Sequence, residues 1–241
     1  MDNKLIKIAI VTGFSESCFS LVKQCIVSAY CSMKEFINQC ELTIYAYEYN
    51  HNVIGDVNNI NRIGTYDDFA PFTKNLSLSK DLFTLKNTKI VQKKASDINH
   101  TDKCKLADIK IYHDFATKYF NQYDFALFCH DDIVINENCN VFQTMISILS
   151  KGSVAFIGEP HLDCRDALSI RIYPYFIFAS SVKFCEYKLS FINDYVIFDS
   201  NIKSWPINRD GGSALLASCF QLDNKYDLPL YALFKAAWFE H

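Results

Sequence analysis

Four consecutive residues, Cys129-His130-Asp131-Asp132, gather the side chains of this chain best suited to hold a cation. They follow directly on Phe125-Ala126-Leu127-Phe128 and run into Ile133-Val134-Ile135. A short apolar run of this kind predicts a buried strand. Two adjacent carboxylates and an imidazole at its carboxyl end are costly to hold together without a cation or an extensive hydrogen-bond network. In open α/β sheets, ligands sit at the carboxyl ends of strands. The sequence thus predicts a cation site where a nucleotide would bind. A nucleotide diphosphate would be repelled by carboxylates unless a divalent ion lay between them. Mg²⁺ or Mn²⁺, bound through one or two carboxylates plus phosphate oxygens, solves that problem. An imidazole ligand tilts the preference toward Mn²⁺. The competing reading of the same residues is an exposed Asp-Asp turn with His130 partly packed.

The elements that must position this tetrad follow from hydrophobic spacing. Lys7-Ile8-Ala9-Ile10-Val11-Thr12-Gly13 reads as a first buried strand ending in a turn, with Ser15 or Ser17 available to cap a helix. Val22, Cys25, Ile26, Ala29, Met33, Phe36 and Ile37 recur at helical spacing, and Leu42-Thr43-Ile44-Tyr45-Ala46-Tyr47 is the second strand. Strand, helix and strand in this span predict a parallel pair with a right-handed crossover. Residues 48–100, rich in Asn and turn residues, predict an irregular segment, with Lys93-Lys94 in a solvated loop. Leu106, Ile109, Tyr112, Ala116, Tyr119 and Phe120 then share one helical face leading to the tetrad's strand.

Val141, Phe142, Met145, Ile146 and Leu149 predict a further helix closed by Lys151-Gly152. The strand Val154-Ala155-Phe156-Ile157 should stop at Gly158-Glu159-Pro160, and Tyr173-Pro174-Tyr175-Phe176-Ile177-Phe178 suggests another. Asp210-Gly211-Gly212 opens a short helical run, and the chain closes on Ala237-Trp238-Phe239-Glu240-His241. A tail of large aromatics and a histidine predicts either docking onto the core or a chain cut short at that point, with His241 either completing a site or disordered.

Composition sets the outer bounds. The chain has 241 residues, half of them apolar, which fits one α/β domain or one domain with a small subdomain. A net charge of −3 and the absence of a basic stripe argue against nucleic acid as a partner. The ten cysteines contain no C-x-x-C pair, and several lie in apolar runs where thiols act as small hydrophobes. Without a signal-peptide pattern, a reducing cytoplasm is the expected compartment. No apolar stretch approaches the ~18 residues of a membrane span, which leaves peripheral attachment at the inner face of the membrane open.

The order of elements, with the stretch Tyr123-Asp-Phe-Ala-Leu-Phe-Cys-His-Asp-Asp-Ile-Val-Ile135, resembles glycosyltransferases of the GT-A fold, particularly family 2-like enzymes. The tetrad stands where these enzymes carry an Asp-x-Asp-type (DxD-like) motif, with His130 in place of the first Asp. The acidic-Gly-Ser cluster usual after the second strand is replaced by Tyr47-Glu48-Tyr49-Asn50.

The resemblance implies a GT-A-like (Rossmann-related) fold with a mixed, mostly parallel sheet flanked by helices. It implies one domain, residues 1–241, with a nucleotide-sugar-binding half over 1–135 and an acceptor-binding half over 136–241. It further implies transfer of a sugar from a UDP- or GDP-sugar to a hydroxyl of a glycan or lipid-linked acceptor, with inversion. Mn²⁺ or Mg²⁺ would be held by Asp132, His130 and His241, with Asp131 on the ribose, the sugar or the metal. Thr12, Gly13 and Phe14 would lie over base and ribose, where Gly13 permits close backbone approach. Glu48 would meet base or ribose, and Lys105 a phosphate, unless it is simply a solvated lysine. Asp210 would be the general base that takes the acceptor's proton, unless it merely caps a helix, with Asp194 and Asp199 as runners-up.

Other readings stay open. A non-catalytic nucleotide-sugar-binding module or degenerate transferase would explain His130. A nucleotidyltransferase would need a basic residue in the first loop, where Gly13-Phe14-Ser15-Glu16-Ser17 has none. A Cys164 nucleophile paired with His161 lacks an orienting third group.

Overall fold

The apolar lead-in to the tetrad is the central strand of a seven-stranded sheet. The computed structural model describes residues 4–14, 19–48, 88–94, 105–136, 140–162, 170–191, 215, 231–233 and 239–240. In chain order these form β1 (Ile6–Phe14), α1 (Phe19–Ser32), β2 (Cys40–Glu48), β3 (Thr88–Lys94), α2 (Lys105–Lys118) and β4 (Phe125–Cys129). There follow β5 (Val134–Ile135), α3 (Val141–Lys151), β6 (Phe156–Leu162), β7 (Ile170–Ser180), α4 (Ser181–Glu186), β8 (Tyr231–Leu233) and β9 (Phe239–Glu240). The large sheet runs β3-β2-β1-β4-β7-β6-β8, and β5 and β9 form a separate pair. β7 is antiparallel to both neighbours, whereas the other neighbouring pairs are parallel. This is the mixed, mostly parallel α/β class that the sequence implies.

Both faces of the sheet are buried, as parallel sheets require. Ile8, Ile10, Leu42, Ile44, Leu127, Cys129, Phe176 and Phe178 pack with α1 and α3. Ala9, Val11, Tyr45, Tyr47, Ala126, Phe128, Ile177 and Ala179 pack on the other side with α2 and α4. The alternation along β1 and β4 therefore assigns successive residues to two different cores. Phe128 shows how dense the second core is: its ring lies within 6 Å of those of Tyr112, Phe115, Phe120 and Phe191.

Several expectations need correction. Residues 48–100 are not irregular throughout: Thr88–Lys94 is a strand paired in parallel with Leu42–Glu48. Its signal is weak because only Ile90 and Val91 are apolar. It lies at the edge of the sheet that the described residues form. Lys93-Lys94 is accordingly strand rather than loop. β6 does not stop at Gly158-Glu159-Pro160 but passes through it with a register shift. The helix before β4 turns Ile111, Tyr112 and Phe115 fully inward, while Ala116 and Tyr119 only flank the core. α1 ends at Ser32, and Phe36 and Ile37 reach the core through a turn and a short 3₁₀ segment instead.

Candidate functional site

β1 connects through α1 to β2 on one side, whereas the chain leaving β3 returns to place β4 on the other. The carboxyl ends of β1 and β4 therefore flank a topological switch point, where open α/β sheets bind ligands. Thr12 lies opposite Cys129 in the register, so Gly13 and Phe14 leave one side of this crevice and His130 to Asp132 leave the other.

The turn carrying the two aspartates is held at both ends. The backbone N–H of His130 donates to the carbonyl of Tyr175 at 3.1 Å, prolonging the β4–β7 ladder by one residue. Beyond the turn, the N–H of Ile135 donates to Oγ of Ser28 at 2.9 Å, and Ser28 in turn donates to the carbonyl of Cys25. Ile133 and Ile135 are buried in the α1 core. Asp131 and Asp132 are only partly exposed, and Oδ2 of Asp131, Oδ1 of Asp132 and Nε2 of His130 are shut off from solvent. Sheltered carboxylate oxygens need compensation by hydrogen bonds or positive charge.

Cys129 is set apart from the rest of the tetrad. Its thiol lies 3.8 Å from that of Cys25, both fully buried, and the Cys25 thiol also reaches the carbonyl of His130 at 3.5 Å. The contact with Cys25 and burial push the Cys129 thiol well above the ordinary range. Cys129 thus packs in the core as a small neutral group.

Thr12 is fully buried on β1, and its Oγ1 finds no hydrogen-bond partner among the described residues. Gly13 is buried and pairs with Tyr47, and Phe14 pairs with Glu48, so β1 and β2 end level with one another. Lys105 opens α2. The side chains of Phe14, Glu48 and Lys105 lie outside the described residues, as do Asp210, His241, Asp194, Asp199 and Cys164. The structure brings Thr12, Gly13, His130, Asp131 and Asp132 to one rim.

The tail does return to the site. β9 pairs antiparallel with β5, Val134 opposite Glu240 and Ile135 opposite Phe239. Val134 lies two residues beyond Asp132, and Glu240 directly precedes His241 in sequence.

The fit to a divalent ion can be judged from the donors. No group of three or more His, Cys, Asp or Glu side chains forms a metal shell among the described residues. The partly buried aspartates offer one or two carboxylates, which suits Mg²⁺ or Mn²⁺ taking the rest of its shell from phosphate and water.

Three residues packed around the turn or beside it escape the sequence. Ser28 lies within a helix and gives no signal. Tyr175 lies in a strand where aromatics abound. Glu159 reads as a strand terminator, yet it accepts a hydrogen bond from the Tyr175 hydroxyl at 2.8 Å.

No family model and no curated protein matches the sequence. Several solved structures align with the chain, each at a TM-score below 0.5. One is the galactosyltransferase LgtC in complex with donor and acceptor sugar analogs, at 8% identity and a TM-score of 0.44, over 89% of this chain and 70% of that one. Another is the glycosyltransferase GlyE of Streptococcus pneumoniae TIGR4, at 13% identity and a TM-score of 0.46, over 92% of this chain and 46% of that one. An active-site mutant of LgtC aligns at 8% identity and a TM-score of 0.43, over 89% of this chain and 70% of that one. The chemistry of the site rests on its own residues.

Proposed function

We propose that the protein is a glycosyltransferase that moves a sugar from a nucleotide-diphosphate donor to a hydroxyl of a glycan or lipid-linked acceptor. The observation that carries this reading is the placement of His130, Asp131 and Asp132. They sit in a clamped turn at the carboxyl end of the central strand, across a switch-point crevice from Thr12. That crevice suits a nucleotide, with Thr12 and Gly13 against base and ribose and the aspartates toward the diphosphate. Mn²⁺ or Mg²⁺ at Asp132 would neutralise charge on the departing diphosphate. The turn's task is to hold the carboxylates in place before the donor arrives, so that little reorganisation is needed during transfer. His130 and His241 are the proposed nitrogen donors; Glu240, which directly precedes His241 in sequence, pairs with Val134. Asp210 is the proposed general base for an inverting transfer. UDP or GDP is the proposed carrier, and peripheral contact with a membrane is compatible with a lipid-linked acceptor. Among the described residues no helix is long and apolar enough to cross a membrane.

Hydrolysis of UDP- and GDP-sugars by the purified protein, with and without Mn²⁺, tests the reading. Metal-dependent release of nucleoside diphosphate is expected, and Asp132→Asn should lower it by about 100-fold or more with the urea midpoint preserved. Metal-dependent nucleotide binding without turnover would instead assign a nucleotide-sugar-binding module, which His130 in the motif keeps in view.

A further inference from the structure

Glu159 lies where β6 and β7 fall out of register. Gly158 pairs with Ile177 and Pro160 with Ile172, so residues 173–176 of β7 oppose Glu159 alone. A bulge of this size gives up ladder hydrogen bonds and redirects side chains, and bulges recur beside functional sites. Tyr175 shows the redirection. Strict alternation with Ile177 and Ala179 would turn it toward α2, yet it packs against the core on the α1 side. There its ring stands edge-on to the imidazole of His130, centroids 6.0 Å apart and planes at 70°. Its hydroxyl donates to Oε2 of Glu159 at 2.8 Å. Glu159 and Tyr175 both remain partly exposed. Tyr175 therefore stands between two polar groups of the same rim, His130 just beyond β4 and Glu159 on β6.

We propose that Glu159 and Tyr175 form a half-site that recognises the hydroxyls of a neutral saccharide, the acceptor; the assignment rests on the glycosyl-transfer reading above. A carboxylate can accept hydrogen bonds from neighbouring hydroxyls while one of its oxygens is held by a phenol. A tyrosine ring beside it offers an apolar surface to the C–H groups of a pyranose. The charge of Glu159 repels a diphosphate, so the pair suits a neutral polyol better than the donor's phosphates. The bulge is the structural device that carries the tyrosine to this place. Glu159 on β6 and His130 just beyond β4 then stand on either side of β7.

Saturation-transfer NMR with methyl glycosides of glucose, galactose and N-acetylglucosamine, without nucleotide or metal, reads this half-site directly. The unmodified protein is expected to bind at least one glycoside. Glu159→Gln should weaken that binding about fivefold or more, and Tyr175→Phe should weaken it measurably. The thermal shift given by UDP or GDP with Mn²⁺ should persist in both variants. Should Glu159→Gln lose cooperative unfolding, Tyr175→Phe, which keeps the ring, carries the comparison. Absence of binding to every glycoside, or binding within twofold of the unmodified protein in both variants, overturns the half-site. A nucleotide shift alongside that result leaves the transferase reading standing. Glycoside binding lost in the variants, with no nucleotide shift in any protein, supports the half-site and overturns the transferase reading instead.

Discussion

A buried hydroxyl with no partner is worth more to a ligand than to the fold, and Thr12 supplies one at the rim of the sheet. Its Oγ1 is cut off from solvent and makes no hydrogen bond among the described residues. Replacing such a hydroxyl with a methyl removes a desolvation cost of about 1–3 kcal/mol without sacrificing an interaction. Thr12→Val is therefore expected to leave the urea midpoint unchanged or raised, while weakening nucleotide binding several-fold in calorimetric titration. A large loss of stability would show that the hydroxyl serves the fold. The acidic pair is legible in the sequence because charge after an apolar run contradicts its surroundings. Tyr175 and Ser28 are not, since an aromatic in a strand and a serine in a helix contradict nothing. Their roles arise only where β7 and α1 come against the turn.

At the scale of elements, the close passage of β6 against β7 depends on Gly158. A methyl added there would meet Cγ2 of Ile172 at 2.5 Å, and Ile172 is fully buried. The side chain has nowhere cheap to go, so Gly158→Ala is expected to cost about 1–3 kcal/mol, read as a lower urea midpoint. An unchanged midpoint would mean the bulge can absorb the methyl. β1, β2 and β4 are legible from composition because strands buried on both faces are nearly continuous apolar runs. β3 is hidden because only Ile90 and Val91 in it are apolar, too short a run to mark a strand. The course of β6 through Glu159-Pro160 is hidden because a bulge looks like a terminator when its partner strand is unknown. The β5–β9 pairing is a contact between segments about one hundred residues apart in sequence, and short-range periodicity carries no trace of it.

At the scale of the whole molecule, burial of two titratable groups, His113 and Cys40, tilts stability with pH. Burial lowers the pKa of His113 below 6.5, with neighbouring Asp114 opposing the shift. The unfolded chain then binds more protons in that window, so stability present above pH 6.5 is lost as pH falls through the folded value. Burial raises the Cys40 thiol from 9.0 to about 11, so the folded state keeps its proton longer. Stability present below pH 9.0 is lost as pH rises toward about 11. Urea midpoints should accordingly be highest between these limits, and His113→Asn should flatten the acid side; a midpoint that climbs below pH 6 would contradict this. The architecture that buries these groups also delivers the acidic turn to the crevice between β1 and β4. Thermal unfolding with UDP or GDP, each with and without Mn²⁺, tests that delivery most directly. Saturation at one hundred times Kd adds about 2.7 kcal/mol, which corresponds to several degrees in Tm. One nucleotide with Mn²⁺ is expected to raise Tm by that amount, neither component alone should do so, and Asp132→Asn should abolish the effect. An equal rise without Mn²⁺, an equal rise in Asp132→Asn, or no rise with either nucleotide would contradict it.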